Sequence, residues 1–280
     1  MPDIAIIGAG DLGGSLAYVL ARKNVATAIR LIDDSGRVAE GKALDIMQSA
    51  PIERFATRLS GSIDMSAARG AAVIILADSV GGTEWQGEVG LMLLKRLTAL
   101  ESRAVILCAG QSQREIVEHG VRDLHIGRER LFGSAPEALA GGARALVALA
   151  LDGSPGDVAV TVLGVPPSQI VIPWADATVA GFAVTRLLDE PTRRRLGARI
   201  TAMWPPGPHA LASAAAKIVD AVFGRTRAVA SCFVAPDDSS GRRTRAAALP
   251  VRLGSTGVDR VVLPSLSVVD RVALDNAMLL

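Results

Sequence analysis

The stretch Gly8-Ala9-Gly10-Asp11-Leu12-Gly13 spaces three glycines as G-x-G-x-x-G, directly after a short apolar run and at the start of a helical pattern. That spacing serves the binding of a diphosphate. The first glycine permits a tight turn, the second lets backbone approach the phosphates, and the third lets helix and strand pack closely. The opening turn of the helix then presents unpaired N–H groups and partial positive charge to the anion. Asp33 ends the next apolar run twenty residues beyond Gly13, where a carboxylate can hold a ribose 2′-hydroxyl. Asp33 and Asp34 together repel a 2′-phosphate, so the pattern points to NAD rather than NADP. Gly8, Gly10, Asp11, Leu12, Gly13 and Asp33, with Ala77 at the end of a further apolar run, are the candidate cofactor-binding residues.

Groups that carry a proton near neutral pH are scarce: the chain has three histidines. His119 sits beside a glycine at a helix end and His125 in a polar connection, so both read as surface residues. His209 follows the breaker Trp204-Pro205-Pro206-Gly207-Pro208 and opens a helix. It is the one candidate catalytic residue, with a helix-start or packing role as the plainer alternative. Asp78, Glu84 and Trp85 lie in a loop that can face a pocket, although loop acids are ordinarily just solvated. Arg242, Arg243 and Arg245 read as a solvated hairpin tip. Cys108 and Cys232 fall in apolar runs and read as packed, reduced thiols. No spacing of His, Cys or carboxylates suggests a metal site.

The elements that must position these groups alternate along the first half. Asp3 to Ile7, Ala28 to Asp33, Ala71 to Ala77 and Arg103 to Cys108 are strand-like. Leu12 to Arg22, Arg37 to Ser49 and Val89 to Leu100 place apolar residues at helical spacing. Such alternation predicts an α/β fold, a doubly wound parallel sheet with helices on both faces. The second half is more mixed. Helices are expected at Ala138 to Leu149, Pro191 to Met203, His209 to Phe223 and Ser267 to Leu280. Strands are expected at Asp157 to Leu163, Ile170 to Trp174, Ala228 to Ala235, Ala246 to Leu253 and Asp259 to Leu263. Half of the 280 residues are hydrophobic and the net charge is +2, giving ample core and no strong pull toward nucleic acid or membrane. No apolar run reaches membrane-spanning length and no leader pattern precedes the first strand, so a cytoplasmic protein is expected.

Gly41 to Ile52, G-K-A-L-D-I-M-Q-S-A-P-I, resembles a helix of the malate and lactate dehydrogenase family, especially bacterial malate dehydrogenases of the lactate-dehydrogenase-like type. The similarity continues through L-S-G-S-I-D (Leu59 to Asp64), I-P-W-A-D-A-T-V-A-G (Ile172 to Gly181) and L-P-V-R-L-G-S-T-G-V-D-R-V (Leu249 to Val261). The resemblance implies an NAD-binding Rossmann domain over residues 1–120 and an α+β substrate-type domain over 121–280. It also implies NAD at the C-terminal edge of the sheet, a small-molecule substrate, and a homodimer or homotetramer with the Gly41 to Ile52 helix at a subunit interface.

The departures bear on chemistry. The family ends its fourth strand with T-A-G and follows it with an Arg-bearing loop; Leu76 to Gly90 reads L-A-D-S-V-G-G-T-E-W-Q-G-E-V-G, without Arg or Lys. Ala109-Gly110 stand where the family has Asn-Pro. Leu139 to Ala143 align with L-D-S-A-R, which carries the family's orienting Asp and carboxylate-clamping Arg; Arg144 matches a different arginine. Val165-Pro166-Pro167-Ser168 align with G-H-G-D, which carries the proton-transferring His. The first expectation is therefore an NAD(H)-binding protein of this kind, regulatory or scaffolding, without ordinary malate dehydrogenase activity. The alternative is an NAD-dependent oxidoreductase acting on a different hydroxy or keto substrate with another proton donor, such as His209. A purely structural homologue is disfavoured by the intact glycine pattern and Asp33.

Overall fold

A computed structural model describes residues 2–237 and 244–279. Its first half runs β1 (Ile4–Ile7), α1 (Asp11–Arg22), β2 (Ala28–Ile32), α2 (Gly36–Glu53), β3 (Arg58–Ser62), β4 (Val73–Leu76), α3 (Gly87–Leu100), β5 (Val105–Cys108), α4 (Arg114–Arg122) and β6 (Leu131–Gly133). These strands are parallel in the order β3-β2-β1-β4-β5-β6. The central strands read IAII, VIIL and VILC and are buried throughout. Both faces are covered, by α1, α2 and a later helix on one side and by α3 and α4 on the other. Burial on two faces is why these strands are unbroken apolar runs rather than alternating ones.

The second half adds α5 (Ala135–Ala150), β7 (Val158–Ala159), β8 (Leu163–Val165), β9 (Gln169–Val171), β10 (Thr178–Val179), β11 (Phe182–Ala183), α6 (Val184–Leu187), α7 (Glu190–Thr201), α8 (Pro208–Val222), β12 (Ala230–Val234), β13 (Ala247–Gly254), β14 (Gly257–Val261) and α9 (Val268–Met278). β12 pairs antiparallel with β6 and extends the same sheet through β13, β8 and β9. The single strand expected over Asp157 to Leu163 is split. Val158 pairs with Val179 in a small sheet of β7, β10 and β11, whereas Gly164 pairs with Ala248 in the main sheet. β6 pairs with β5 as the sixth strand of the parallel run. Arg242 and Arg243, expected at a hairpin tip, lie outside the described residues, as does Leu280. Arg245 is not solvated as expected: its Nε donates to Ala277 O at 2.7 Å, and its guanidinium also reaches Gln169 Oε1.

The register fixes where the strands end. Ile7 lies level with Ile32 and Leu76, and Leu76 with Cys108. Gly8, Asp33, Ala77 and Ala109 therefore leave the sheet side by side at its C-terminal edge, the crevice where open α/β sheets bind ligands.

One buried carboxylate ties the second half together. Glu137 on α5, 3% exposed, accepts 2.6 Å bonds on Oε1 from Arg144 Nη2 and from Lys217 Nζ on α8. Its Oε2 accepts the Ser231 N–H of β12 at 2.8 Å. Removing the carboxylate leaves two cations and a strand N–H without their shared acceptor. Glu137→Ala is expected to lower unfolding stability by about 3–5 kcal/mol, and Glu137→Gln by less. Urea denaturation of the two variants measures this.

Candidate functional site

The glycine-rich turn is built as its sequence requires. Gly8 has φ 111°, and a Cβ there would run into the Asp78 carbonyl. A Cβ on Gly13 would run into the Gly8 carbonyl, so this glycine allows α1 to seat against β1. Ala77 is fully buried and donates its N–H to Ile7 O at 2.9 Å, locking β4 beside the turn. Asp11 points to solvent, with its carboxylate 4.0 Å from Lys42 Nζ, which itself donates to Gly10 O at 2.7 Å.

Several N–H donors of this turn already have acceptors. Asp78 Oδ2 accepts the Leu12 N–H at 3.3 Å and Oδ1 accepts the Gly13 N–H at 3.0 Å. The Gly10 N–H goes to Asp78 O at 2.9 Å. A Cβ on Gly10 would meet the Asp78 carboxylate, so the space that its missing side chain opens is filled by that group. Asp78 is 8% exposed, against the expectation of a solvated loop acid. A carboxylate facing the start of a helix gains both hydrogen bonds and the favourable end of the helix dipole.

Asp33 is also engaged. Its Oδ2 accepts the N–H groups of Ala9 at 2.9 Å and Val80 at 3.0 Å, and its Oδ1 accepts that of Ser35 at 2.8 Å. Val80 belongs to a small hairpin in which Asp78 and Glu84 form a bridge and Ser79 N donates to Thr83 O at 2.9 Å. Its turn is closed by Gly82 N on Ser79 O, with Gly81 at φ 102°, a conformation that favours glycine. Across the hairpin, Glu84 Oε1 accepts Gln111 N at 3.0 Å and Oε2 accepts Ser112 N at 2.7 Å, in the connection after β5. A Cβ on Gly110 would meet this second carboxylate.

Beside that connection lies a cavity of about 340 Å³, lined by Gln86, Gln111, Ser112, Arg114, Pro166 and Trp204 among others. No histidine lines it. Its cation, Arg114, is held by Glu118 at 2.9 Å and Glu115 at 3.0 Å. The stretch of α5 that aligns with the family's L-D-S-A-R is apolar and packed: Leu139, Ala140 and Ala143 are buried, and a Cβ on Gly142 would run into Met203. Sequence reasoning noted Ala109-Gly110 only for the absent Asn-Pro and passed over Gln111, Ser112 and Arg114. Their signal was position, immediately after a parallel strand.

His209 lines a different groove, with Asp11, Ser15, Tyr18, Lys42, Asp45 and Ile46. It is exposed, and its Nδ1 lies 3.3 Å from the Ser15 hydroxyl. The candidate proton donor and Pro166 are thus not brought together, because the start of α8 packs beside α1 rather than over β8. His119 pairs with Asp123 at 2.8 Å at the end of α4, and His125 is exposed. Among the described residues no cluster of three His, Cys, Asp or Glu is placed to hold a metal.

Residues 3–96 match the family described as lactate/malate dehydrogenase, NAD binding domain. The malate dehydrogenase of Neorickettsia sennetsu is 26% identical over 98% of this chain and 95% of its own length. That of Thermomicrobium roseum is 27% identical over 98% and 94%. Among solved structures, Salinibacter ruber malate dehydrogenase superposes with a TM-score of 0.88 at 23% identity, covering 98% of this chain and 93% of that one. Cryptosporidium parvum lactate dehydrogenase, complexed with lactic acid and NAD, gives 0.85 at 20% identity, with 99% and 94% covered. These matches show a Rossmann-type fold like that of malate and lactate dehydrogenases, with an NAD-binding domain over residues 3–96. The geometry sets a condition on that cofactor. Gly8, Gly10, Gly13 and Asp33 are in place, but a diphosphate reaching for the Leu12 and Gly13 N–H groups meets the Asp78 carboxylate. In this arrangement of the hairpin the dinucleotide does not fit.

Both cysteines are fully buried, and burial pushes their thiols well above the ordinary range, with Glu84 adding to the effect at Cys108 and Glu137 at Cys232. Neither forms thiolate at mild pH in the folded chain. A disulfide reagent such as DTNB is expected to label neither thiol in native protein at pH 8 and both in guanidinium.

Proposed function

We propose that this chain is an NAD(H)-binding protein of the malate/lactate dehydrogenase kind that does not interconvert hydroxy and keto acids. The observation that carries this reading is the cavity beside the β5–α4 connection. Hydroxy-acid oxidation needs a group to take the hydroxyl proton and a cation to hold the carboxylate. The cavity has Pro166 where relatives are read to keep their proton-transferring histidine. Arg114 is committed to two glutamates, and the stretch of α5 aligned with the family's L-D-S-A-R holds Leu139, Ala140 and Ala143 in the core. Losing general acid–base help alone costs about 10²–10⁴ in rate. Losing the clamp as well removes orientation of the substrate. His209, at the Ser15 groove, does not supply the missing proton donor from where it sits.

We also take the protein to be cytoplasmic, as its two buried free thiols suit a reducing compartment, and to self-associate. No helix among the described residues is long and apolar enough to cross a membrane. The exposed side chains Val38, Leu44 and Ile52 on α2 lie on the helix that the resemblance places between subunits. Exposed apolar side chains such as these are stabilised when a partner covers them.

Two measurements test this reading. Nicotinamide absorbance should show turnover below about 10⁻³ s⁻¹ with malate or lactate plus NAD⁺, and with oxaloacetate or pyruvate plus NADH, against ~10 s⁻¹ for a typical enzyme. A rate within tenfold of that typical value overturns the reading. Sedimentation should show an oligomer that Leu44→Glu with Ile52→Glu converts to monomer; an already monomeric parent chain sinks the self-association.

A further inference from the structure

We propose that the hairpin Asp78–Glu84 is an internal ligand that holds the dinucleotide cleft shut, and that NAD(H) enters only when the hairpin swings away. This rests on the NAD(H)-binding reading above. Three independent contacts carry it. The Asp78 carboxylate takes the Leu12 and Gly13 N–H groups at the start of α1, the donors that the glycine spacing prepares for a diphosphate. The Val80 N–H takes Asp33 Oδ2, the carboxylate positioned for a ribose hydroxyl. The Glu84 carboxylate takes the Gln111 and Ser112 N–H groups at the far end of the crevice. One short segment thus meets the polar groups of the cleft from one end to the other, with anions at both ends.

Sterics and charge reinforce each other. Gly10 has no side chain, yet the room this creates is filled by the Asp78 carboxylate. The Asp78 carboxylate occupies the donors prepared for a diphosphate that itself carries negative charge, and Glu84 adds a second anion at the far end of the crevice. Hairpin and dinucleotide therefore compete for the same donors and exclude one another.

The hairpin is built to leave as a unit. Its strands are tied to each other by Ser79 N on Thr83 O and by Gly82 N on Ser79 O, so its shape does not depend on the cleft. Its tip, Gly81 to Thr83, is exposed, and Gly81, Gly82 and Gly87 sit at positive φ with nothing near a would-be Cβ. Trp85 packs against the core beside α3 and stays as the anchor on one side; Ala77, in the sheet, is the anchor on the other. The closed state also leaves a donor unmet. Gln113, 1% exposed, gives its Oε1 to the Gly110 N–H beneath Glu84, while its Nε2 has no acceptor among the described residues.

When only a fraction of molecules is open, apparent affinity falls by that fraction. NADH fluorescence titration of the full chain, with Asp78→Gly, Asp78→Asn and Glu84→Gln, reads this directly. Asp78→Gly is expected to bind NADH at least tenfold more tightly than the parent, and NADH should raise its melting temperature more than the parent's. Glu84→Gln and Asp78→Asn, which keep side-chain acceptors but drop a charge, are each expected to bind at least threefold more tightly. Parent binding as tight as that of Asp78→Gly overturns the internal ligand and leaves the nucleotide reading standing. No binding by the parent or any variant at millimolar NADH overturns both. Should Asp78→Gly not fold, affinities for the two conservative variants equal to the parent's overturn the proposal.

Discussion

A helix that begins in a glycine-rich turn exposes N–H groups that need an acceptor, and in this chain the acceptor is the carboxylate of Asp78. Much of the crevice follows from that bond. Asp78 can reach α1 because β4 lies directly beside β1 and ends level with it, at Leu76 opposite Ile7. The hairpin that follows must then lie along the sheet edge, which puts Val80 over Asp33 and Glu84 over Gly110. Along that edge the hairpin engages the Leu12, Gly13, Gln111 and Ser112 N–H groups and the Asp33 carboxylate.

In the second half, α5 turns alanines and a leucine into the core, and Gly142 lets Met203 pack close. The charge that remains on α5 is structural: Glu137 joins α5, α8 and β12 through Arg144, Lys217 and Ser231. Buried charge of this sort is kept in place by its partners and is costly to break. Arg114 beside Pro166 follows the same logic, balanced by Glu115 and Glu118. Glu137, Arg144 and Arg114 are thus all held in ion pairs, and His209 lies in the separate groove beside Ser15.

What the sequence revealed depended on whether a signal was local. β1, β4 and β5 were legible because burial on both faces makes them continuous apolar runs, and the glycine spacing is contained within six residues. β6 was not read as a strand because three residues, Leu131–Gly133, carry no period. The split of β7 from β8 was illegible since it depends on partners as distant as Val179 and Ala248. The role of Asp78 was hidden for the same reason: it bonds to Leu12 across 66 positions of chain, through a strand adjacency no local pattern announces. Arg245 looked like a solvated tip because its partners, Ala277 and Gln169, are remote in sequence. His209 was a candidate because it follows the prolines and opens a helix, but which way the start of α8 faces is decided by its packing against α1.

The bond on which this arrangement turns is open to direct measurement without any nucleotide. Backbone amide hydrogen exchange, read residue by residue by NMR in the nucleotide-free chain, reports whether the Leu12 and Gly13 N–H groups are held. Slow exchange at both positions in the parent, accelerated at least tenfold in Asp78→Gly while the amides of β1 and β4 stay protected, is the expected result. Equally rapid exchange at Leu12 and Gly13 in parent and variant would mean that the turn stands open and that Asp78 does not hold it.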